Sequence, residues 1–232
     1  MRSHLPSLIG LTLALSTFTG AAAVGQDYKV AVLKEAPPSS LAPKVSESLN
    51  KDGFRVVDGD GKPFADIWLR KSIPAAGAPE GIKGAIQFPF LAEGEFLGVL
   101  KFAAEGHDYR DQTIPKGVYT IRYGLQPVNG DHLGVSVYRD YVLLIPAAKD
   151  TDIADIPRKP LHEKSAESAG ASHPACLLLV IPASPPTSLP SMAHDEEKAT
   201  WGANLPLNLG VKGSKEAFTQ TIQFIVVGAS MG

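Results

Sequence analysis

Ala199-Thr200-Trp201-Gly202-Ala203-Asn204-Leu205-Pro206-Leu207-Asn208-Leu209 alternates without a break. The odd positions (Trp201, Ala203, Leu205, Leu207, Leu209) are apolar, and the even ones are polar, small or proline. A period of two marks a strand with one face in a core. Pro206 has no N–H to give to a ladder, so this strand is predicted to lie at a sheet edge or to bend there.

The same period recurs on both sides of that stretch. After it, Phe218, Ile222, Phe224 and Val226 share one face, and Thr219, Thr221 and Gln223 share the other. Before it, Tyr119, Ile121, Tyr123 and Leu125 of the run Gly117–Leu125 point inward, while Thr120 and Arg122 point outward. Further strands are predicted over Lys29–Leu33, Phe54–Val57, Ala65–Lys71, Phe96–Phe102, Val135–Ile145 and Ala175–Ile181. Asp58-Gly59-Asp60-Gly61 and Asn129-Gly130-Asp131 supply turn residues that tolerate positive φ, and Pro115-Lys116-Gly117 leads into a strand in a similar way. A short helix is predicted with Ser39 or Ser40 as cap and Leu41, Val45 and Leu49 on one face, ending at Gly53. A second, Leu161–Gly170, closes on Gly170. Residues 147–174 and 182–198 otherwise read as long loops, of the kind that are functional or disordered. The expected fold is all-β: a two-sheet antiparallel β-sandwich of jelly-roll or immunoglobulin-like type with one or two short helices in its loops, a barrel being the alternative.

The amino-terminal end reads as a secretory signal peptide over residues 1–23. Arg2 precedes an apolar run from Leu5 to Leu15, and small residues at Ala21, Ala22, Ala23 and Gly25 allow cleavage after Ala23 or Gly25. That leaves residues 26–232 as a single domain, secreted or periplasmic. No later segment is long enough to span a bilayer. The only cysteine, Cys176, lies far from the cleavage site, which excludes a lipid-anchored cysteine there and any intramolecular disulfide. Its setting, Ala-Cys-Leu-Leu-Leu-Val-Ile, is that of a buried small hydrophobe rather than a thiolate nucleophile. A formal charge of −2, or −3 once Arg2 is removed, gives no electrostatic footprint for nucleic acid.

Two clusters carry whatever chemistry the sequence offers. In Ala65-Asp-Ile-Trp-Leu-Arg-Lys71 the apolar face is Ala65, Ile67 and Leu69, which puts Trp68 on the other face with Asp66 and Arg70, as a stacking platform for a sugar ring or peptide or as part of a second core. Loop histidines beside carboxylates, best represented by His107, His132 and His194, are the side chains a divalent metal would use, without a recognised ligand spacing. His162-Glu163 begins a zinc-protease motif, but Ala166 stands where its second histidine belongs. Asp58–Pro63 fails as a calcium loop, with Lys62, Pro63 and Leu69 at positions that need oxygen ligands or glycine. Ser48-Leu-Asn-Lys51 has none of the companion motifs of a serine–lysine hydrolase, Gly134-Val-Ser-Val-Tyr138 lacks the second glycine of a nucleophile elbow, and no two carboxylates are paired by sequence.

Phe54–Arg70 and Asp108–Pro127, with Asn129–Gly134 and Arg139–Leu144, resemble a family of uncharacterised secreted bacterial proteins. The resemblance implies a bacterial, exported β-sandwich and no activity. The function expected is that of a non-enzymatic envelope protein without an obligate cofactor, structural or binding an unknown protein or glycan. A metal-binding protein or metal-dependent hydrolase is the alternative.

Overall fold

The computed structural model describes residues 27–128 and 136–229. The predicted signal peptide, the predicted Asn129–Asp131 turn and His132 lie outside them. In chain order the strands are β1 (Lys29–Leu33), β2 (Gly53–Val57), β3 (Pro63–Leu69), β4 (Ile73–Ala75), β5 (Phe96–Phe102), β6 (Gly106–His107), β7 (Thr113–Ile114), β8 (Gly117–Leu125), β9 (Asp140–Pro146), β10 (Cys176–Val180), β11 (Ser191–Asp195), β12 (Thr200–Val211) and β13 (Ala217–Val227). Helix α1 (Pro43–Ser48) joins β1 to β2, and α2 (Arg158–Ala169) joins β9 to β10.

These strands do not form a sandwich. Apart from the small β6–β7 hairpin, they make one sheet in the order β1-β2-β3-β5-β8-β9-β10-β13-β12-β11, with β4 joining β12 in parallel. The sheet curls into a half-barrel and brings β1 into contact with β11. The physical reason is continuity: β10 pairs β9 through Cys176–Leu178 and β13 through Leu179–Val180, so one strand welds what would have been two sheets. Period-two patterning reports which face is buried and is silent on whether two buried faces belong to one curled sheet or to two flat ones.

Which residues point inward is as the alternation predicts. Ala65, Ile67 and Leu69, Tyr119, Ile121 and Tyr123, Ala203, Leu205, Leu207 and Leu209, and Ile222, Phe224 and Val226 fill a single inner core. Pro206 is tolerated as expected: the β11 ladder stops at Asn204 and β4 begins at Leu209, so β12 is a local edge between them. The segment 182–198 is not all loop, since it contains β11. The strand predicted over Val135–Ile145 starts only at Asp140 among the described residues.

The outer face of the sheet is also covered. Leu41, Val45 and Leu49 of the α1 region pack on Trp68, Phe96 and Val99. The segment after β9 is fastened by Arg122, which is fully buried. Its guanidinium donates through Nε and Nη2 to the Asp150 carboxylate (2.7 and 2.8 Å), through Nη1 to the Gly94 and Ala154 carbonyls (both 2.8 Å), and through Nη2 to the Asp152 carbonyl (2.5 Å). All five N–H groups are used. Gly94 has φ +87°, and a side chain there would start 2.0 Å from the Ile156 carbonyl oxygen, so only glycine lets this strap lie down.

Candidate functional site

The predicted platform is placed on the outer face, as alternation requires, and is then buried. Trp68 is 2% exposed and its indole N–H donates to the Glu35 carbonyl at 3.0 Å. Asp66 takes two bonds from Arg55 (2.7 and 3.0 Å), and Arg70 donates to Glu95 at 2.6 Å. The stripe Leu41, Val45 and Leu49 needed an apolar partner, and Trp68 is that partner. It forms a second core rather than an open stacking face.

The described histidines of the metal reading are not brought together. His107 sits on the β6–β7 hairpin beside Asp111 (3.1 Å), and His194 stacks on Trp201 across the β11–β12 pair with ring centroids 3.9 Å apart. Among the described residues no group of three or more His, Cys, Asp or Glu side chains is arranged to hold a metal ion, and no helix is long and apolar enough to cross a membrane.

The site that the structure does build lies beside α2. Strands β9 and β10 are apolar on both faces: Val142, Leu144, Leu177 and Leu179 look into the barrel, while Tyr141, Leu143, Ile145 and Cys176 form an outer cluster with Tyr109 and Leu161. A two-faced apolar strand needs a cover on each side. Helix α2 provides the outer one, capped by Gly170 in the left-handed conformation (φ 60°) with Ala171 N–H donating to the Ala166 carbonyl. Its buried residues are only Leu161, Ser165 and Ser168. Two of these dock by hydrogen bonds rather than by bulk: Ser165 Oγ donates to the Ala175 carbonyl (3.0 Å) and Ser168 Oγ to the Leu144 carbonyl (2.9 Å). These short contacts hold the helix close to the sheet over Ala175 and Leu144, and its small buried face covers little of the apolar strand surface beyond them.

Along the flank of α2 that carries His162, Glu163 and Ala166 lies an open depression of about 360 Å³, set against strands β8, β9 and β10. Its wall is mainly apolar, with Tyr141, Leu143 and Cys176 as floor, Leu125 and Pro127 at one end, and Ala166 as part of the roof. Arg110, His162, Glu163 and His173 contribute polar atoms. Tyr109 is delivered by the β6–β7 turn, which Asp108 holds rigidly. Its carboxylate accepts from Arg110 N (2.9 Å), Gln112 N (2.8 Å), Gln112 Nε2 (2.8 Å) and Cys176 N (3.0 Å). Tyr109 and Tyr141 then meet edge to face at 5.8 Å.

One group in this site is out of balance. Tyr141 is 6% exposed and its hydroxyl, fully buried, has no hydrogen-bond partner at proper geometry among the described residues. Its polar neighbour is the Ser136 hydroxyl, which accepts from Tyr138 N at 3.3 Å and keeps its own O–H and a lone pair beside the phenol. Burial, then the neighbouring Cys176 and Tyr109, hold the Tyr141 phenol above its ordinary range. Burial, then Asp108, does the same for the Cys176 thiol. Both are therefore neutral near pH 7, so the floor offers apolar surface and no thiolate nucleophile. Comparison with protein-family models, with curated proteins and with solved structures finds no match for this chain.

The sequence reading assigned Cys176 to structure and did not single out Tyr141. The signal that finds them is the absence of alternation in Tyr141-Val-Leu-Leu-Ile145 and Cys176-Leu-Leu-Leu-Val180, set against the poverty of apolar residues in Arg158–Ala169.

Proposed function

We propose that the protein is an exported binding protein, and that the depression beside α2 receives the apolar part of a small molecule. The observation that carries this reading is a mainly apolar depression of about 360 Å³ that gathers Tyr109, Tyr141, Leu143 and Cys176 with the polar side chains of Arg110 and His173. The volume falls within the range of small-molecule pockets, and their usual make-up is an apolar lining with a few placed polar groups. The signal-like leader supports export. The neutral tyrosine and thiol support binding rather than catalysis.

The test is occupancy of the cavity. Wild type titrated calorimetrically with 1-octanol is expected to bind in the micromolar to millimolar range, and Ala166→Phe, which fills the roof from a half-buried helical position, to abolish the heat while keeping a cooperative unfolding transition. Equal binding by the Ala166→Phe variant places the ligand elsewhere and ends this reading.

A further inference from the structure

The depression beside α2 does not end at Tyr109. On the far side of that ring lies a second depression of about 540 Å³, over the outer face of β10, β13, β12 and β11. The two share Tyr109 as a wall, and they share β10 as a floor: Cys176 faces the first, and Leu178 and Val180, two and four residues on and so on the same face of the strand, line the second. Their chemistry differs. The first is apolar. The second is floored by a row of neutral polar side chains, in which Asn204 Nδ2 donates to Ser191 Oγ (3.1 Å) and Gln223 Nε2 donates to Asn204 Oδ1 (2.8 Å). Among the described residues that row leaves the Gln223 carbonyl oxygen and one N–H of each amide uncommitted, so acceptor and donors stand side by side.

We infer that the two depressions are halves of one site, and that its ligand is a glycoside: an apolar group beside α2 joined to a sugar lying on the amide row. This rests on the binding reading above and names its ligand class. Three observations choose a sugar. Vicinal hydroxyls both donate and accept, which suits uncommitted amide groups in a row. At the amide row itself Asn204 is paired with both Ser191 and Gln223, and Gln223 with both Asn204 and Val180, so a ligand there meets side chains rather than open main chain. The rim charges leave no cationic excess to hold an anion, because Lys198 is paired with Asp195 at 2.9 Å and Glu196 stands beside them.

The experiment is calorimetric titration of the full mature chain with octyl β-glucoside below its micellar threshold, 1-octanol and glucose. The expected result is that the glucoside binds at least tenfold tighter than octanol, with glucose weakest. In the Asn204→Ala/Gln223→Ala double variant the glucoside should fall to the affinity of octanol while octanol itself is unchanged. That unchanged octanol affinity reports that the variant is folded, and the wild-type ratio tests the proposal without any variant. Equal affinities for glucoside and octanol in wild type overturn the inference, as does a double variant that keeps the preference, or glucose binding as tightly as the glucoside. Octanol binding that Ala166→Phe still blocks would then leave the cavity reading standing, whereas no binding of octanol or glucoside to wild type removes both.

Discussion

The outer wall of the half-barrel is covered by two straps that solve the same problem in opposite ways. Residues 150–156 lie over β8 and are held by Arg122, whose five N–H groups all find oxygen and whose guanidinium also sits 5.6 Å from the centre of the Phe96 ring. Thr120 adds its hydroxyl to Asp150 at 2.5 Å. Nothing polar is left over, and glycine at position 94 removes even the space for a methyl group. Helix α2, on the neighbouring strands, leaves an open depression of about 360 Å³ along its flank and the Tyr141 hydroxyl unpaired among the described residues. The contrast separates two meanings of a buried polar side chain. Fully satisfied, it fixes a fold; unsatisfied, it costs the fold stability.

The first way to break this comparison is at Arg122. Arg122→Leu removes the clamp and leaves Asp150, 3% exposed, as a buried carboxylate without its counter-charge. Loss of one partner of a buried pair costs about 3–5 kcal/mol, which for a domain of this size lowers the melting temperature by roughly 6–20 °C. Arg122→Leu/Asp150→Leu should recover part of the loss, because an apolar pair needs no compensation. A single variant within about 1 kcal/mol of wild type in urea unfolding would mean that the strap is held by something other than this guanidinium.

A second, smaller effect comes from the same end of the barrel. Glu95 is buried against Arg70, and desolvation, followed by the nearby Asp155, raises its pKa to about 7, with Arg70 and Lys212 opposing. A carboxyl whose folded pKa lies above its unfolded value of 4.5 contributes stability that is complete below pH 4.5 and is lost as pH rises through 7. Stability is therefore expected to fall by about 1–3 kcal/mol between those pH values on account of this group. Glu95→Gln should flatten that part of the profile, matching wild type near pH 4 and exceeding it near pH 8. Parallel profiles for the two proteins in chemical denaturation at a series of pH values would remove Glu95 as the cause.

The legibility of the two straps in sequence differs for a physical reason. Strand positions and inward faces could be read because alternation is a local property of the chain, and Trp201 through Leu209 or Tyr119 through Leu125 state it directly. The curled single sheet could not, because it depends on β10 pairing with β9 at one end and with β13 at the other, a fact about partners far apart in sequence. Arg122 was placed on the outer face by its period, yet its burial depends on a segment nearly thirty residues later. Trp68 shows the same limit: its face was legible, and the helix that covers it was legible, but not that one lies on the other. The depression beside α2 is a deficit of side-chain volume, and a deficit has no motif.

The smallest effect is the most pointed. If Tyr141 were part of a satisfied core, removing its hydroxyl would cost about 0.5–1.5 kcal/mol, the net worth of an ordinary hydrogen bond. Its hydroxyl is instead buried without a partner, and Phe keeps the ring, the edge-to-face contact with Tyr109 and the shape of the floor. Tyr141→Phe is therefore expected to leave the unliganded protein as stable as wild type or up to about 1 kcal/mol more stable, a rise of roughly 2–4 °C in melting temperature. Binding of octanol should be the same in the two proteins, because the hydroxyl lies beneath the surface that a ligand touches. Gain in stability with unchanged affinity is the signature of a buried hydroxyl that costs desolvation and meets no ligand. A loss of stability with no change in affinity would assign Tyr141 to the same class as Arg122, and the contrast between the two straps would vanish.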